Sequence, residues 1–240
     1  MSTKHRKLKL KEDDVIVFEN TDKAGWTENW NMKECYSDFP HPFRALIIAP
    51  VSRGKTSLIK NFIMKQKDPK PFEKIIIYHH TDTTTEYNDL TNFDPNNVCF
   101  IDHIPVVEDI DPNYKTLIII DDVYVKKLNK KDAADIDRLY SYLSSHCNCS
   151  IIMTSQQFFN VPLSLRELMN IFCIFKIDNV DRLQRMSKGL GFVKDALRIV
   201  FKKYCPDDHD FITIDNTKNT PRKFRFHLSH KLPINIDLMT

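Results

Sequence analysis

The stretch that most constrains the fold of this 240-residue chain is RALIIAPVSRGKTS, residues 44–57. Its apolar beginning predicts a buried strand over Arg44–Ile48, and Pro50 prevents that strand from continuing as a central one. Gly54–Thr56 comes next, and the apolar residues that follow recur at helical spacing, which predicts a helix over Thr56–Gln66. A strand, a tight loop and a helix in this order are the setting of a phosphate-binding loop.

The residues of this loop suit nucleotide binding, although the match to G-x-x-x-x-G-K-[ST] is incomplete. The amino end of a helix offers free N–H groups and a positive dipole end to phosphate. Lys55 would reach the β- and γ-phosphates, and the Thr56 hydroxyl would bind Mg²⁺. The candidate nucleotide-binding residues are therefore Ser52, Arg53, Gly54, Lys55, Thr56 and Ser57. The alternative is a solvent-facing lysine after an ordinary turn.

Two positions in the loop depart from the usual pattern. Ala49 stands where the first glycine is expected, and an alanine fits there at small cost if its φ is negative. Arg53 occupies a position that usually holds a small residue, and it would add positive charge near the phosphates. We expect these departures to affect the rate of hydrolysis more than binding.

Two further strand ends carry side chains that complete such a site. The run TLIIIDD at 116–122 predicts a buried strand that ends in two acids. Asp121 fits a Mg²⁺ ligand, and Asp122 fits the acid that polarises the attacking water. The run SIIMTSQQ at 150–157 predicts another strand, and Gln156 at its end would sense the γ-phosphate or position water. The alternatives are acids that cap a turn and a polar strand end in solvent.

An arginine beyond this strand, Arg166, is a candidate for stabilising transition-state charge across a subunit boundary. A surface salt bridge is the alternative for Arg166. A basic cluster just after the acid pair is either a DNA-contacting surface or a solvated face; its members are Lys126, Lys127, Lys130 and Lys131.

Short apolar strands alternate with helical patterns from about residue 44 to 205. Further strands are predicted at 74–79, 98–101 and 171–177, and a helix at 133–146. This alternation predicts an α/β fold with a mainly parallel central sheet flanked by helices. The GKT loop and the acid pair, placed on such a sheet, predict a P-loop NTPase. Phe211–Asp215 and Lys223–His227 flank a polar turn and predict a C-terminal β-hairpin at the sheet edge.

The first residues, MSTKHRKLKLK, are rich in Lys and Arg and hold no acid, as in nucleic-acid-binding arms and in solvated termini. We divide the chain into an N-terminal basic arm and lead-in segment, 1–40, and a P-loop ATPase domain, 41–240.

The six cysteines form no CxxC pair, so no zinc site is predicted, and Cys99 and Cys173 lie in apolar runs typical of core thiols. No apolar run approaches the roughly 18 residues of a membrane span. We expect an intracellular protein without stable membrane insertion.

Together these segments resemble a known family. The spaced set PFRALIIAPVSRGKTSL, KIIIYHHTD, TLIIIDDVYVKKL and SSHCNCSIIMTSQQFFNVPLSLRELMNIFCIFKI is similar to the DNA-packaging ATPases of large DNA viruses. That is the poxvirus-type family, within the FtsK–HerA class of P-loop motors. The similarity runs from about Pro42 to Tyr204, and the block from His146 to Arg166 is more specific than the loop itself.

The resemblance implies a homo-oligomeric ring that uses ATP and Mg²⁺ to package double-stranded DNA into a preformed capsid. Its partners would be capsid or portal-like vertex proteins, and its location the viral factory of the host cytoplasm, with the virion as a second location. By motif match, Asp121 takes the Mg²⁺ role and Asp122 that of the catalytic acid. Gln156 falls on the sensor position, and Arg166 is a candidate trans-acting finger. Ser145 replaces an arginine that family members often carry, which leaves more to Arg166, or to Arg182 and Arg185.

Two alternatives to this function stay open. One is a nucleotide-binding structural or scaffold protein of the virion, with weak or no ATP hydrolysis. The other is a different P-loop enzyme, such as a nucleotide kinase or a helicase. An arginine-rich lid, which a kinase usually carries, is not evident in the sequence, and 240 residues leave a processive helicase little room for further domains.

Overall fold

A nine-stranded β-sheet forms the centre of the computed structural model, which describes residues 39, 41–64, 72–79, 87, 90, 94–217, 224–228 and 230–232. The strands are β1 (Arg44–Ile48), β2 (Lys74–His79), β3 (Val98–Ile101), β4 (Thr116–Asp121), β5 (Cys149–Ser155), β6 (Ile171–Phe175), β7 (Phe211–Asp215), β8 (Phe224–Phe226) and β9 (His230–Lys231). Their order is β3-β2-β4-β5-β1-β6-β7-β8-β9. The strands from β3 to β6 in this order are parallel, and β7, β8 and β9 extend the sheet with antiparallel pairs.

Helices cover both faces of this sheet. They are α1 (Lys55–Met64), α2 (Lys130–Arg138), α3 (Leu163–Leu168), α4 (Val180–Gly189) and α5 (Ala196–Tyr204). A π-helical segment, Leu139–Leu143, and a last α-helical turn, Ser144–His146, continue α2. Asn129 caps the start of α2, because its side chain accepts a hydrogen bond from the Asp132 N–H at 2.9 Å.

The core consists of two apolar layers, one on each face of the sheet. In β1, Leu46 and Ile48 point into the layer that contains residues of α2, α3, α4 and α5. Ala45 and Ile47 alternate with them and point into the layer under α1. Because both faces are covered, the parallel strands read as continuous apolar runs instead of alternating ones.

The predicted elements are confirmed, with small shifts at their ends. The helix predicted at 133–146 begins earlier, at its Asn129 cap, and the strand predicted at 171–177 ends at Phe175. The C-terminal hairpin is confirmed as β7 and β8, although β9 adds a further antiparallel pair outside it. The helices α3, α4 and α5 were not predicted from the sequence.

One expectation from the sequence is wrong, and another falls on residues that the structure does not describe. Cys173 is a buried thiol as expected, but Cys99 is exposed, because β3 is an edge strand and Cys99 lies on its less covered side. The basic arm predicted at 1–40 lies, apart from Phe39, outside the described residues. Within the described part of the chain, no helix is long and apolar enough to cross a membrane.

The strand order brings the predicted site residues to one edge. β5 lies between β1 and β4, and all three run in the same direction. Their carboxyl ends therefore lie side by side, so the loop after β1, the acid pair after β4 and the polar end of β5 are neighbours.

Candidate nucleotide site

The loop between β1 and α1 turns sharply to present the amino end of the helix. Ser52 and Gly54 both have positive φ, 60° and 96°. This left-handed conformation favours glycine at position 54, where any side chain would strain the backbone. The Leu58 N–H donates to the Gly54 carbonyl at 2.9 Å, which closes the first helical turn. The first N–H groups of a helix have no carbonyl partner within the helix and suit a ligand such as phosphate.

Ala49 takes the place of the first glycine without strain. It is fully buried in the layer under α1, and its N–H donates to the Ser155 carbonyl at 3.1 Å. It does not belong to the described non-glycine residues with positive φ, which are Ser52, Asp122, Asn148 and His227. Ala49 therefore meets the condition for an alanine at this position, which is that its φ is not positive.

The side chain of Arg53 faces acids instead of a phosphate site. Its Nη1 lies 2.5 Å from Asp208 Oδ1, and its Nη2 lies 4.0 Å from Asp178 Oδ2. The Arg53 carbonyl accepts a hydrogen bond from His209 Nδ1 at 3.3 Å. Two carboxylates neighbour the Arg53 charge and Asp208 pairs closely with it, so the contribution of Arg53 to phosphate binding stays a prediction. The pairing also lowers the pKa of Asp208 through a hydrogen bond from Arg53.

Asp121, the last residue of β4, is buried and held on two sides. Its Oδ1 accepts the Thr154 hydroxyl at 2.6 Å, and its Oδ2 accepts the Tyr87 hydroxyl at 2.6 Å. His79 pairs with Asp121 in the register of β2 and β4, and its Nε2 lies 3.8 Å from Oδ2. These contacts fix the carboxylate at the edge of the sheet.

Asp122, the predicted catalytic acid, contacts two other residues of the predicted site. It has a positive φ of 52°, and its N–H donates to the Thr154 hydroxyl oxygen at 2.8 Å. Gln156 Nε2 donates to both carboxylate oxygens, at 3.1 and 3.2 Å. Lys55 Nζ lies 3.8 Å from Asp122 Oδ1. The structure thus brings together an acid, an amide and the loop lysine from three different strand ends.

The oxygen donors near this group fit Mg²⁺ bound together with a nucleotide. Mg²⁺ usually takes one or two protein oxygens, with waters and phosphates completing its shell. Thr56, the second residue of α1, and Asp121 would supply such oxygens. The described residues hold no cluster of three or more His, Cys, Asp or Glu side chains that would bind a metal unaided, and a metal–nucleotide site does not require one.

The predicted arginine lies in a separate cluster beyond β5. Arg166 Nε donates to the Val161 carbonyl at 3.1 Å, and its guanidinium lies 4.4 Å from the Phe158 ring centre and 5.2 Å from that of Phe159. Burial lowers the pKa of Arg166. Among the described residues, its hydrogen bonds and ring contacts do not reach Lys55 or the acid pair. The structure of one chain therefore leaves a role in a neighbouring subunit as a prediction.

Two side chains that support the site, Tyr87 and His79, were not predicted from the sequence, and a third, Arg182, was named there only as a possible charged contact. Tyr87 lies in a polar segment without periodicity, so no pattern pointed to its bond with Asp121. His79 ends β2 in register with Asp121, a pairing that the strand order would have shown. Arg182 Nη2 donates to the Gln156 carbonyl at 2.6 Å. Burial and the neighbouring Arg185 lower the pKa of Arg182.

The strand order and the position of the loop between β1 and α1 match the P-loop NTPase fold. The DNA-packaging ATPase B204 from Sulfolobus turreted icosahedral virus is similar, with a TM-score of 0.54 and 17% identity over 78% of this chain and 97% of that chain. The genome-packaging NTPase B204 from Sulfolobus turreted icosahedral virus 2, solved with ATP-γ-S and with AMPPCP, has a TM-score of 0.54 and 16% identity in both complexes. Both matches cover 78% of this chain. They cover 96% of the B204 chain in the ATP-γ-S complex and 97% in the AMPPCP complex. At these identities the likeness shows a shared fold.

No family model matches the sequence, and no curated protein sequence matches it at a significant level.

Proposed function

We propose that this protein is an ATP-driven motor that packages double-stranded viral DNA into a preformed capsid. The observation that carries the proposal is the meeting of Lys55, Asp122 and Gln156 at the carboxyl edge of the sheet. A lysine, an acid and an amide beside the amino end of a helix are the groups that phosphoryl transfer to water requires.

Each residue has a role in this reaction. Lys55 and the N–H groups at the start of α1 bind the β- and γ-phosphates. Asp122 accepts a proton from the attacking water, and Gln156 holds that carboxylate and the water in place. Thr56 and Asp121 would hold Mg²⁺, which would supply positive charge against the phosphate oxygens. Thr154 and Tyr87 keep Asp121 in a fixed orientation.

The packaging role draws support from two sources. The B204 proteins that share the fold are described as a DNA-packaging ATPase and a genome-packaging NTPase. The motifs between Pro42 and Tyr204 resemble the poxvirus-type family of the FtsK–HerA class. On this basis we propose a homo-oligomeric ring with duplex DNA and capsid or portal-like vertex proteins as partners, located in the viral factory of the host cytoplasm and in the virion. Arg166 is proposed to act on the nucleotide of a neighbouring subunit.

A second candidate function is a nucleotide-binding scaffold that hydrolyses ATP slowly or not at all. One observation favours it: both carboxylate oxygens of Asp121 already accept hydrogen bonds, from Tyr87 and Thr154. A carboxylate engaged in this way has less capacity left for the water shell of Mg²⁺. The two candidates share nucleotide binding and differ in turnover.

An ATPase assay with and without duplex DNA separates the two functions. For a motor, we expect Mg²⁺-dependent release of phosphate that duplex DNA accelerates. Lys55→Ala should abolish this activity, whereas Lys202→Ala, which removes an exposed lysine of α5, should leave it unchanged. Nucleotide binding without turnover would favour the scaffold, and turnover that ignores DNA would contradict the packaging role.

A further inference from the structure

A basic surface follows Asp122 directly. We define it as the basic turn: Tyr124, Lys126, Lys127, Lys130 and Lys131, all of them exposed. Lys127 Nζ lies 5.1 Å from the centre of the Tyr124 ring. In the part of the chain that the structure describes, no ion pair within 4.0 Å joins any of these four lysines to a carboxylate. Four ammonium groups therefore lie in a short segment, and no carboxylate of the described residues pairs with them directly.

The backbone under the basic turn is fixed. Val123 and Val125 are 4% and 6% exposed and belong to the core layer that contains α2. The Lys127 N–H donates to the Tyr124 carbonyl at 2.8 Å, and the Leu128 N–H to the Val125 carbonyl at 3.2 Å. The lysines consequently extend from a rigid base, so a ligand that binds them orders only side chains.

Two of these lysines stand where the fold itself disfavours them. Lys130 and Lys131 occupy the first turn of α2, at the positive end of the helix dipole, where cations are destabilising. The acid of that turn, Asp132, accepts a hydrogen bond from the Asn129 side chain at 2.9 Å. Residues that destabilise their own local structure are typical of functional sites.

We propose that the basic turn contacts the phosphate backbone of duplex DNA and relays this contact to the ATP site through Asp122. The proposal rests on the proposed motor function, of which it identifies the DNA-contacting surface. Ammonium groups bind phosphates without reading bases, so the contact is independent of sequence. Asp122 begins the same rigid segment and is tied to Thr154 and Gln156, so a force that DNA exerts on the lysines is transmitted to the acid without bending the turn.

The test measures DNA affinity in two double variants of the full chain, Lys126→Gln/Lys127→Gln and Lys130→Gln/Lys131→Gln. The matched control, Lys188→Gln/Lys202→Gln, removes the same charge from exposed positions of α4 and α5. Fluorescence anisotropy of a labelled duplex of mixed sequence is recorded over a range of salt concentrations. Each lysine that contacts a phosphate contributes about 0.9 to the slope of log K against log salt. We expect each test variant to lose about twice that amount and the control to keep the wild-type slope.

Two further readouts separate this effect from misfolding. The thermal midpoint of Lys130→Gln/Lys131→Gln should equal or exceed that of the wild type, because two cations leave the helix amino end. ATP turnover without DNA should stay at the wild-type rate in both variants, whereas its acceleration by DNA should be lost.

The possible outcomes are distinct. If the wild type binds DNA and both test variants bind with the same affinity and slope, the basic turn is not the contact, and the motor function stands. If the variants bind more weakly but DNA still accelerates turnover, the relay through Asp122 is wrong. If the wild type binds no DNA even at low salt, the packaging function itself fails.

Discussion

At the scale of single residues, one buried hydroxyl organises the candidate site. Thr154 is fully buried, donates to Asp121 and accepts from the Asp122 N–H. It therefore links the end of β5 to both acids at the end of β4. The sequence predicted the acids and Gln156 from their positions after buried strands, but the supporting contact of Thr154 depends on the strand order.

Replacing Thr154 with valine keeps the shape of the side chain and removes both hydrogen bonds. We expect a loss of about 1–3 kcal/mol in the free energy of unfolding, because the buried Asp121 carboxylate loses a partner. Turnover should fall by up to roughly a hundredfold as the acids shift. Thr154→Ser, which keeps the hydroxyl, should retain most of the turnover. Equal rates in Thr154→Val and the wild type would contradict the positioning role.

Arg53 offers a second test at this scale, since its side chain pairs with acids. Arg53→Gln should leave nucleotide affinity close to the wild-type value, whereas Lys55→Ala should lower it strongly. Because the ion pair with Asp208 is at the surface and screened by solvent, its loss should change the stability little. The lowered pKa of Asp208 means that this contribution is complete at neutral pH and disappears only as the pH falls through that pKa. A loss of affinity in Arg53→Gln as large as in Lys55→Ala, measured by titration with a fluorescent ATP analogue, would restore Arg53 as a phosphate ligand.

At the scale of elements, the antiparallel strands support the phosphate loop from one side. The segment before β7 carries Asp208 and His209, which contact Arg53, and β6 carries Phe175, which lies beside Gly54. A buried ion pair joins β7 to β8: Arg225 of β8 lies 2.5 Å from Asp215 of β7, and both side chains are fully buried. The stability of the hairpin thus bears on the geometry of the site.

Removing one partner of this ion pair should lower the free energy of unfolding strongly. Arg225→Met leaves the Asp215 carboxylate buried without its cation, so we expect a loss of about 3–5 kcal/mol in urea denaturation. The double variant Arg225→Met/Asp215→Asn removes both charges and keeps an acceptor for the Thr217 N–H, so it should recover much of that stability. If the single variant is as stable as the double variant, the pair does not secure the hairpin.

Much of the element structure could be predicted from the sequence, for identifiable reasons. Strands such as Thr116–Asp121 are apolar on both faces and end in polar residues, which marks both their type and their boundary. The helices α4 and α5 were missed although Asn179 caps the first of them and Leu183 and Met186 give it an apolar face. Cys99 was misjudged because an apolar run does not show which strand lies at the edge of the sheet.

At the scale of the whole molecule, the site depends on contacts between segments far apart in sequence. The order β4-β5-β1 brings Lys55, Asp122 and Gln156 together, and the sequence motifs implied this arrangement only by their order. The contacts of Tyr87 with Asp121 and of Arg182 with Gln156 join segments that share no local pattern. Such contacts follow from packing, so periodicity and spacing could not predict them.

The proposed ring makes a prediction about subunit mixing. Arg166→Ala and Lys55→Ala should each be inactive alone if Arg166 acts on the nucleotide of a neighbour. A mixture of the two variants should regain part of the activity, because some interfaces then combine an intact Lys55 with an intact Arg166. The rate of phosphate release at varied mixing ratios measures this. A mixture as inactive as its components, despite shared oligomers, would assign Arg166 a role within its own subunit.

Our proposal is that ATP is hydrolysed at this edge of the sheet through Asp122. Its most direct test is the rate of Mg²⁺-dependent phosphate release by the full chain, with the wild type and Asp122→Asn measured side by side. We predict release by the wild type and a rate lower by a factor of about 100 or more in Asp122→Asn, since the asparagine cannot accept the proton of the attacking water. Equal rates in the two proteins, or no release by the wild type, would contradict the account.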